Sequence, residues 1–134
     1  MPTARKPRLL IVDDEANVAR TLQMVFEGEG YQASTAYSCA EAVELLQNGH
    51  RFEAVITDLN MEKPDVGLEV ARVAKALQPP AIVVICTGFA STSNSREALD
   101  MQVDYLATKP VRLEDLIPAL NRLIQRQRER RSRK

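Results

Sequence analysis

The chain has 134 residues, 45% of them hydrophobic, with 18 basic and 18 acidic side chains and a formal net charge of zero. That length suits one domain whose core needs no staples, and no apolar run approaches the ~18 residues of a membrane span, so a soluble protein without membrane insertion is expected. The charge is unevenly spread: residues 9–121 hold 17 acids and 8 bases (−9), residues 1–8 add three bases, and residues 122–134 hold seven bases and one acid (+6).

Residues 1–8 are basic, contain Pro2 and Pro7, and lack the apolar stretch of a secretory signal. They read as a disordered lead-in to a cytoplasmic domain. Leu9-Leu10-Ile11-Val12 is a first strand, closed by Asp13 and Asp14. Val18, Leu22, Val25 and Phe26 then recur at helical spacing until Gly28 and Gly30 stop the helix. A short second strand is expected over residues 31–35. Ser38 with Glu41 three residues later is a capping-box signature, and Ala42, Val43, Leu45 and Leu46 continue the helix behind it. Cys39 near its start and Cys86 in a later strand read as small hydrophobes, because two cysteines make no disulfide framework. The lone histidine, His50, lies in a turn-like stretch, so no Cys/His zinc cluster exists.

Ala54-Val55-Ile56-Thr57 is a third strand closed by Asp58. A loop with Pro64 and Gly67 leads into a helix bearing Leu68, Val70, Val73, Ala74 and Leu77, ended by Pro79-Pro80. The fourth strand, residues 81–86, is apolar almost throughout, as a central parallel strand buried on both faces should be. Thr87 follows it. A fourth helix is expected within residues 93–101, where the side chains are polar and small. Residues 103–108 form a fifth strand, followed by Lys109. The last helix carries Leu113, Leu116, Ile117, Leu120, Leu123 and Ile124, with Pro118 near its second turn, where one backbone hydrogen bond is lost. The domain should span residues 9–124, with 125–134 a basic helix end or tail.

Alternating strands and helices argue for an α/β fold with a parallel sheet. Five strands and five helices in the flavodoxin-like, doubly wound order 2-1-3-4-5 are expected. Asp13, Asp14, Asp58, Thr87 and Lys109 would then emerge at one carboxyl edge, where such sheets bind ligands. Carboxylates crowded there repel one another unless a cation sits among them. Mg²⁺ suits them, since it takes one or two carboxylates plus phosphate oxygens. With the metal in place Asp58 could act as a nucleophile forming an acyl-phosphate, with Lys109 and Thr87 neutralising and positioning the phosphoryl group.

The acidic pair after the first strand, the lone Asp after the third, Thr-Gly after the fourth and Lys-Pro after the fifth resemble the receiver domain of two-component response regulators. The resemblance covers residues 8–124. It implies that Asp58 is the phosphoacceptor, served by a sensor histidine kinase or a histidine phosphotransfer protein. It also implies that Asp14, Asp58 and the backbone carbonyl of Asn60 hold Mg²⁺, with Asp13 acting partly through water. Thr87, Gly88 and Lys109 would contact the phosphoryl group, Phe89 would lie near the mouth, and the Lys109–Pro110 bond would be cis. Phosphorylation would switch the surface of the fourth helix, fifth strand and last helix. Such a domain promotes its own phosphorylation and dephosphorylation and is not otherwise an enzyme.

Two departures from the family pattern stand out. The switch aromatic usually lies three residues before the lysine; here Leu106 holds that position and Tyr105 precedes it, and alternation along a strand sends the two to opposite faces. Tyr105 is the candidate switch residue on this reading. After Asp58 the family usually has Pro at four and Gly at eight residues on, whereas this chain has Glu62 at four, Pro64 at six and Gly67 at nine. A one-residue insertion accounts for the shift.

Other readings remain open at this point. Asp13 or Asp14, or Asn17, could merely cap the following helix. A metal-dependent phosphohydrolase could use Asp58 on external substrates, although no segment is long enough for the cap such enzymes need. A flavin carrier would want a Ser/Thr/Gly-rich phosphate loop where Asp13-Asp14-Glu15 stands. The tail could be a solvated helix end, a linker to an output domain in a larger regulator, or an anion-binding segment, but it lacks aromatics for base stacking, so nucleic acid is not expected.

Overall fold

The computed structural model describes residues 5–88, 96, 100 and 102–132. Five strands, β1 (Arg8–Val12), β2 (Gln32–Ala36), β3 (Ala54–Asp58), β4 (Ile82–Thr87) and β5 (Tyr105–Thr108), form one parallel sheet in the order β2-β1-β3-β4-β5. The helices among the described residues are α1 (Ala16–Gly28), α2 (Cys39–Gln47), α3 (Gly67–Lys75) and α4 (Leu113–Ser132). The helix expected within residues 93–101 falls on positions that lie largely outside the described residues. The flavodoxin-like topology is thus present.

Strand alternation divides the core in two. Leu10, Val12, Val55, Val83 and Ile85 pack with α2 and α3 residues such as Ala42, Leu46, Val70 and Ala74. Leu9, Ile11, Ile56, Val84 and Cys86 pack on the other face against Ala19 and Phe26 of α1 and Leu116, Leu120 and Ile124 of α4. β3 and β4 are buried along their whole length, which is why residues 54–56 and 82–86 are apolar without alternation before the buried polar ends Thr57, Asp58 and Thr87. The α2 N-terminus forms as its sequence predicts: the Ser38 side chain accepts the Glu41 N–H at 3.1 Å, and Glu41 Oε1 accepts the Tyr37 N–H at 3.1 Å.

The chain ends are more engaged than their composition suggests. Arg8 opens β1, and the Pro7 carbonyl accepts the Gln32 N–H at 2.8 Å. α4 runs through Pro118, whose missing N–H falls within the helix, and past the last apolar residue to Ser132. Arg128 explains the extension. It donates to Glu53 through Nε (2.7 Å) and Nη2 (2.6 Å) and to the Arg5 carbonyl (2.8 Å). Gln127 adds a bond to the Pro80 carbonyl at 2.7 Å. These anchors hold the helix across the amino-terminal edge of the sheet after its hydrophobic stripe has ended.

Candidate functional site

Register brings the site together. Val12 pairs with Thr57, so the next residues, Asp13 and Asp58, stand at one level on adjacent strands. Asp58 in turn pairs with Cys86, and Thr87 with Thr108, which places Thr87 and Lys109 one step further along the same edge. One carboxylate oxygen from each of Asp13, Asp14 and Asp58 lies within 4.8 Å of the others. Lys109 crosses β4 to donate from Nζ to Asp58 Oδ2 at 3.0 Å, and its backbone N–H bonds the Thr87 carbonyl at 2.7 Å. The Lys109–Pro110 peptide is cis.

Burial and charge then set the chemistry. Asp13, Asp58 and Thr87 are buried while Asp14 is exposed, so the carboxylate cluster reaches solvent on the Asp14 side. Burial is the largest influence on Asp13 and raises its pKa; the Glu15 N–H bond opposes this, and the Asp58 charge adds to it. Burial works against the Lys109 ammonium, but the hydrogen bond and charge of Asp58 outweigh it and leave the lysine pKa raised. Beside them the Cys86 thiol is pushed up to about 12, first by burial and then by Asp58, so it is inert. Hard carboxylate oxygens this close, with burial and the Asp58 charge both raising the Asp13 pKa, suit a hard divalent cation. The acidic pair is not the helix cap. The N-cap of α1 is Glu15, whose N–H is held by Asp13 Oδ1 at 2.9 Å, and no side chain caps the helix.

The loop after Asp58 folds back on itself. Asp65 adopts a left-handed backbone (φ 60°), and its N–H is held by Asn60 Oδ1 at 2.7 Å. That fold-back returns Gly67 to the end of β3, where its N–H bonds the Leu59 carbonyl at 2.8 Å. A Cβ on Gly67 would stand 2.2 Å from the Asp58 carbonyl oxygen, so only glycine fits against the candidate phosphoacceptor. Glu62 stabilises the outer part of the loop by accepting the Cys39 N–H at the start of α2 (3.1 Å to Oε2). The shifted glycine is visible in the sequence as an unexplained Gly just ahead of an apolar helix face, but its role depends on this contact.

The remaining candidates divide. Gly88 is exposed, with open space where a Cβ would stand. Asn60 stands two residues beyond the β3 end on the same loop. Phe89 lies outside the described residues. Tyr105 is not brought together with Thr87. It packs with Val84, Cys86 and Ala107 on the α1/α4 face, whereas Thr87 follows Val83 and Ile85 on the other. Leu106 shares the Thr87 face and is 38% exposed.

The model of the response regulator receiver domain matches residues 9–121. The response regulator MprA of Mycobacterium sp. (strain KMS) is 32% identical over 119 residues, covering 89% of this chain and 51% of that protein. The transcriptional regulatory protein GlrR of Escherichia coli K12 is 33% identical, covering 88% of this chain and 26% of that one. The chain therefore spans about half of the length of the first of these curated relatives and about a quarter of the second. Among solved structures, a CheY-like receiver domain protein from Methanospirillum hungatei JF-1 superposes with a TM-score of 0.86 at 27% identity, covering 93% of this chain and 98% of that one.

Proposed function

The chain belongs to the response regulator receiver domain family, and from that premise we propose that Asp58 accepts a phosphoryl group from a phosphohistidine of a sensor histidine kinase or histidine phosphotransfer protein. The observation that carries this is the Lys109–Asp58 contact at 3.0 Å beside three carboxylates whose oxygens lie within 4.8 Å of one another. An Asp58 carboxylate oxygen attacks phosphorus, the P–N bond breaks, and the imidazole leaves as an acyl-phosphate forms. The residues do their work by position. Lys109 stands where it can neutralise a phosphoryl oxygen, and Thr87 lies one step beyond on the neighbouring strand. Asp13, Asp14, Asp58 and the Asn60 carbonyl would hold Mg²⁺, the donor set being hard oxygen throughout. When bound, that ion supplies charge neutralisation for the acidic cluster and the incoming phosphoryl oxygens.

The protein on this reading is a signalling switch, working in the cytoplasm with its kinase, rather than an enzyme turning over external substrates. The doubly charged acyl-phosphate attracts Thr87 and Lys109 and biases β5, α4 and the segment that joins β4 to β5. Because Leu106 and Thr87 share a face, the coupling we propose runs through Leu106 rather than Tyr105. The test is intact-mass spectrometry after incubation with acetyl phosphate and Mg²⁺. The parent should gain one phosphoryl adduct, lost with EDTA and in Asp58→Asn; an unchanged adduct in that variant would remove Asp58 from its role.

A further inference from the structure

A second, chemically opposite site lies at the other pole of the sheet. A cavity of about 710 Å³ opens beside the amino-terminal ends of β1, β3 and β4, within the range of small-molecule pockets. Arg5, Arg8, Arg51 and Arg131 line it, with Leu46 and Leu77 forming an apolar wall. Its one carboxylate, Glu53, is already held by both arms of Arg128. Among the described residues none of the four lining arginines has a carboxylate within ion-pair distance. Arg8 is set over the Phe52 ring, 5.2 Å from its centroid, which fixes one guanidinium at the rim. Arg131 Nε is buried and has no hydrogen-bond partner among the described residues. A buried donor on a permanent cation calls for an acceptor, and an oxyanion is its natural partner.

We propose that this cavity binds a small phosphorylated molecule of nucleotide size, its phosphates held by the arginines and its less polar body against Leu46 and Leu77. The guanidinium fork matches phosphate oxygens in pairs, and four such groups on an otherwise acidic body concentrate positive potential in one concave place. The site is independent of the phosphoacceptor chemistry, since it lies at the opposite edge of the sheet.

Isothermal titration at 0.15 M salt with EDTA, using ATP and inorganic tripolyphosphate as probes, tests it. Saturable 1:1 binding of ATP is expected, weakened at least tenfold in Arg51→Gln/Arg131→Gln and in Arg8→Gln, and changed less than twofold in Arg126→Gln, an exposed arginine that does not line the cavity. Asp58→Asn should bind as the parent does. Unchanged melting temperatures establish that the variants are folded. Absence of saturable ATP binding would overturn the proposal. So would equal weakening by Arg126→Gln, which means general attraction to the basic helix end, or loss in Asp58→Asn, which puts the anion at the acidic edge. Saturable binding of an RNA oligonucleotide with neither small probe bound would overturn it too.

Discussion

Replacing Gly67 with alanine puts a methyl group where the end of β3 already is. The added Cβ would lie 2.2 Å from the Asp58 carbonyl oxygen, 2.8 Å from Leu59 Cα and 3.0 Å from the Asp58 carbonyl carbon. All three are backbone atoms, so no side chain can swing aside. Restoring an ordinary separation needs a shift of roughly 1 Å in α3 or in the Asp58 backbone. Overpacking of this kind costs about 1–3 kcal/mol, and backbone neighbours argue for the upper end. At about 4 °C per kcal/mol for a domain of this size, the melting temperature should fall by roughly 10 °C. Stability of about 5–15 kcal/mol leaves the variant folded. A displacement of this size at a phosphoacceptor should slow phosphorylation about 100-fold, because transfer depends on positioning. Circular dichroism melting and a timed acetyl phosphate reaction followed by intact mass provide the two readouts. Gly28→Ala is the control, since its Cβ meets nothing within 4 Å. A Gly67→Ala protein that melts within about 2 °C of the parent and is phosphorylated at the parental rate would refute the close-approach argument.

Three further outcomes are expected. Asp14→Ala should weaken Mg²⁺ binding at least tenfold in a titration, because it removes one of few charged ligands; parental affinity would return the acidic pair to a structural role. Arg128→Ala should cost about 2 kcal/mol in urea unfolding, since it strands the largely buried Glu53 carboxylate, and Arg128→Lys should recover less than half of that for want of the paired geometry. Tyr31, whose hydroxyl donates to Asn121 Oδ1 at 2.7 Å, has its pKa raised from 10.0 to about 12, chiefly by burial. The fold favours the neutral phenol, so its contribution is complete below pH 10.0 and declines as pH rises through about 12. Alkaline unfolding of the parent should therefore show a loss on the order of 2 kcal/mol over that window, absent in Tyr31→Phe.

The apolar runs were enough to locate the five strands, and the polar residues at their carboxyl ends were enough to name Asp13, Asp14, Asp58, Thr87 and Lys109. Both follow from local rules: a strand buried on two faces is apolar along its middle, and polar or charged side chains gather at the carboxyl ends, where the sheet edge opens. Strand boundaries shifted by a residue or two, as with β5, which begins at Tyr105 rather than residue 103, because pairing geometry sets the ends. The capping box at Ser38 was equally legible, since its partners lie three residues apart.

What lies far apart along the chain was decided only by the tertiary structure. That Tyr105 and Leu106 face opposite ways follows from alternation alone, but which of them shares a face with Thr87 depends on the β4–β5 register. The shifted Gly67 was visible as an irregularity; its contact with the Asp58 backbone exists because Asp65 turns left-handed and folds the loop back. The basic end of the chain could be a solvated helix end, a linker or an anion-binding segment by sequence alone, because its apolar stripe stops at Ile124. Arg128 reaching Glu53, 75 residues away, and Arg131 lining a cavity with Arg8 depend on where α4 crosses the sheet. Local sequence therefore fixes where buried strands end and charge is permitted, while register and helix docking decide which of those charges meet.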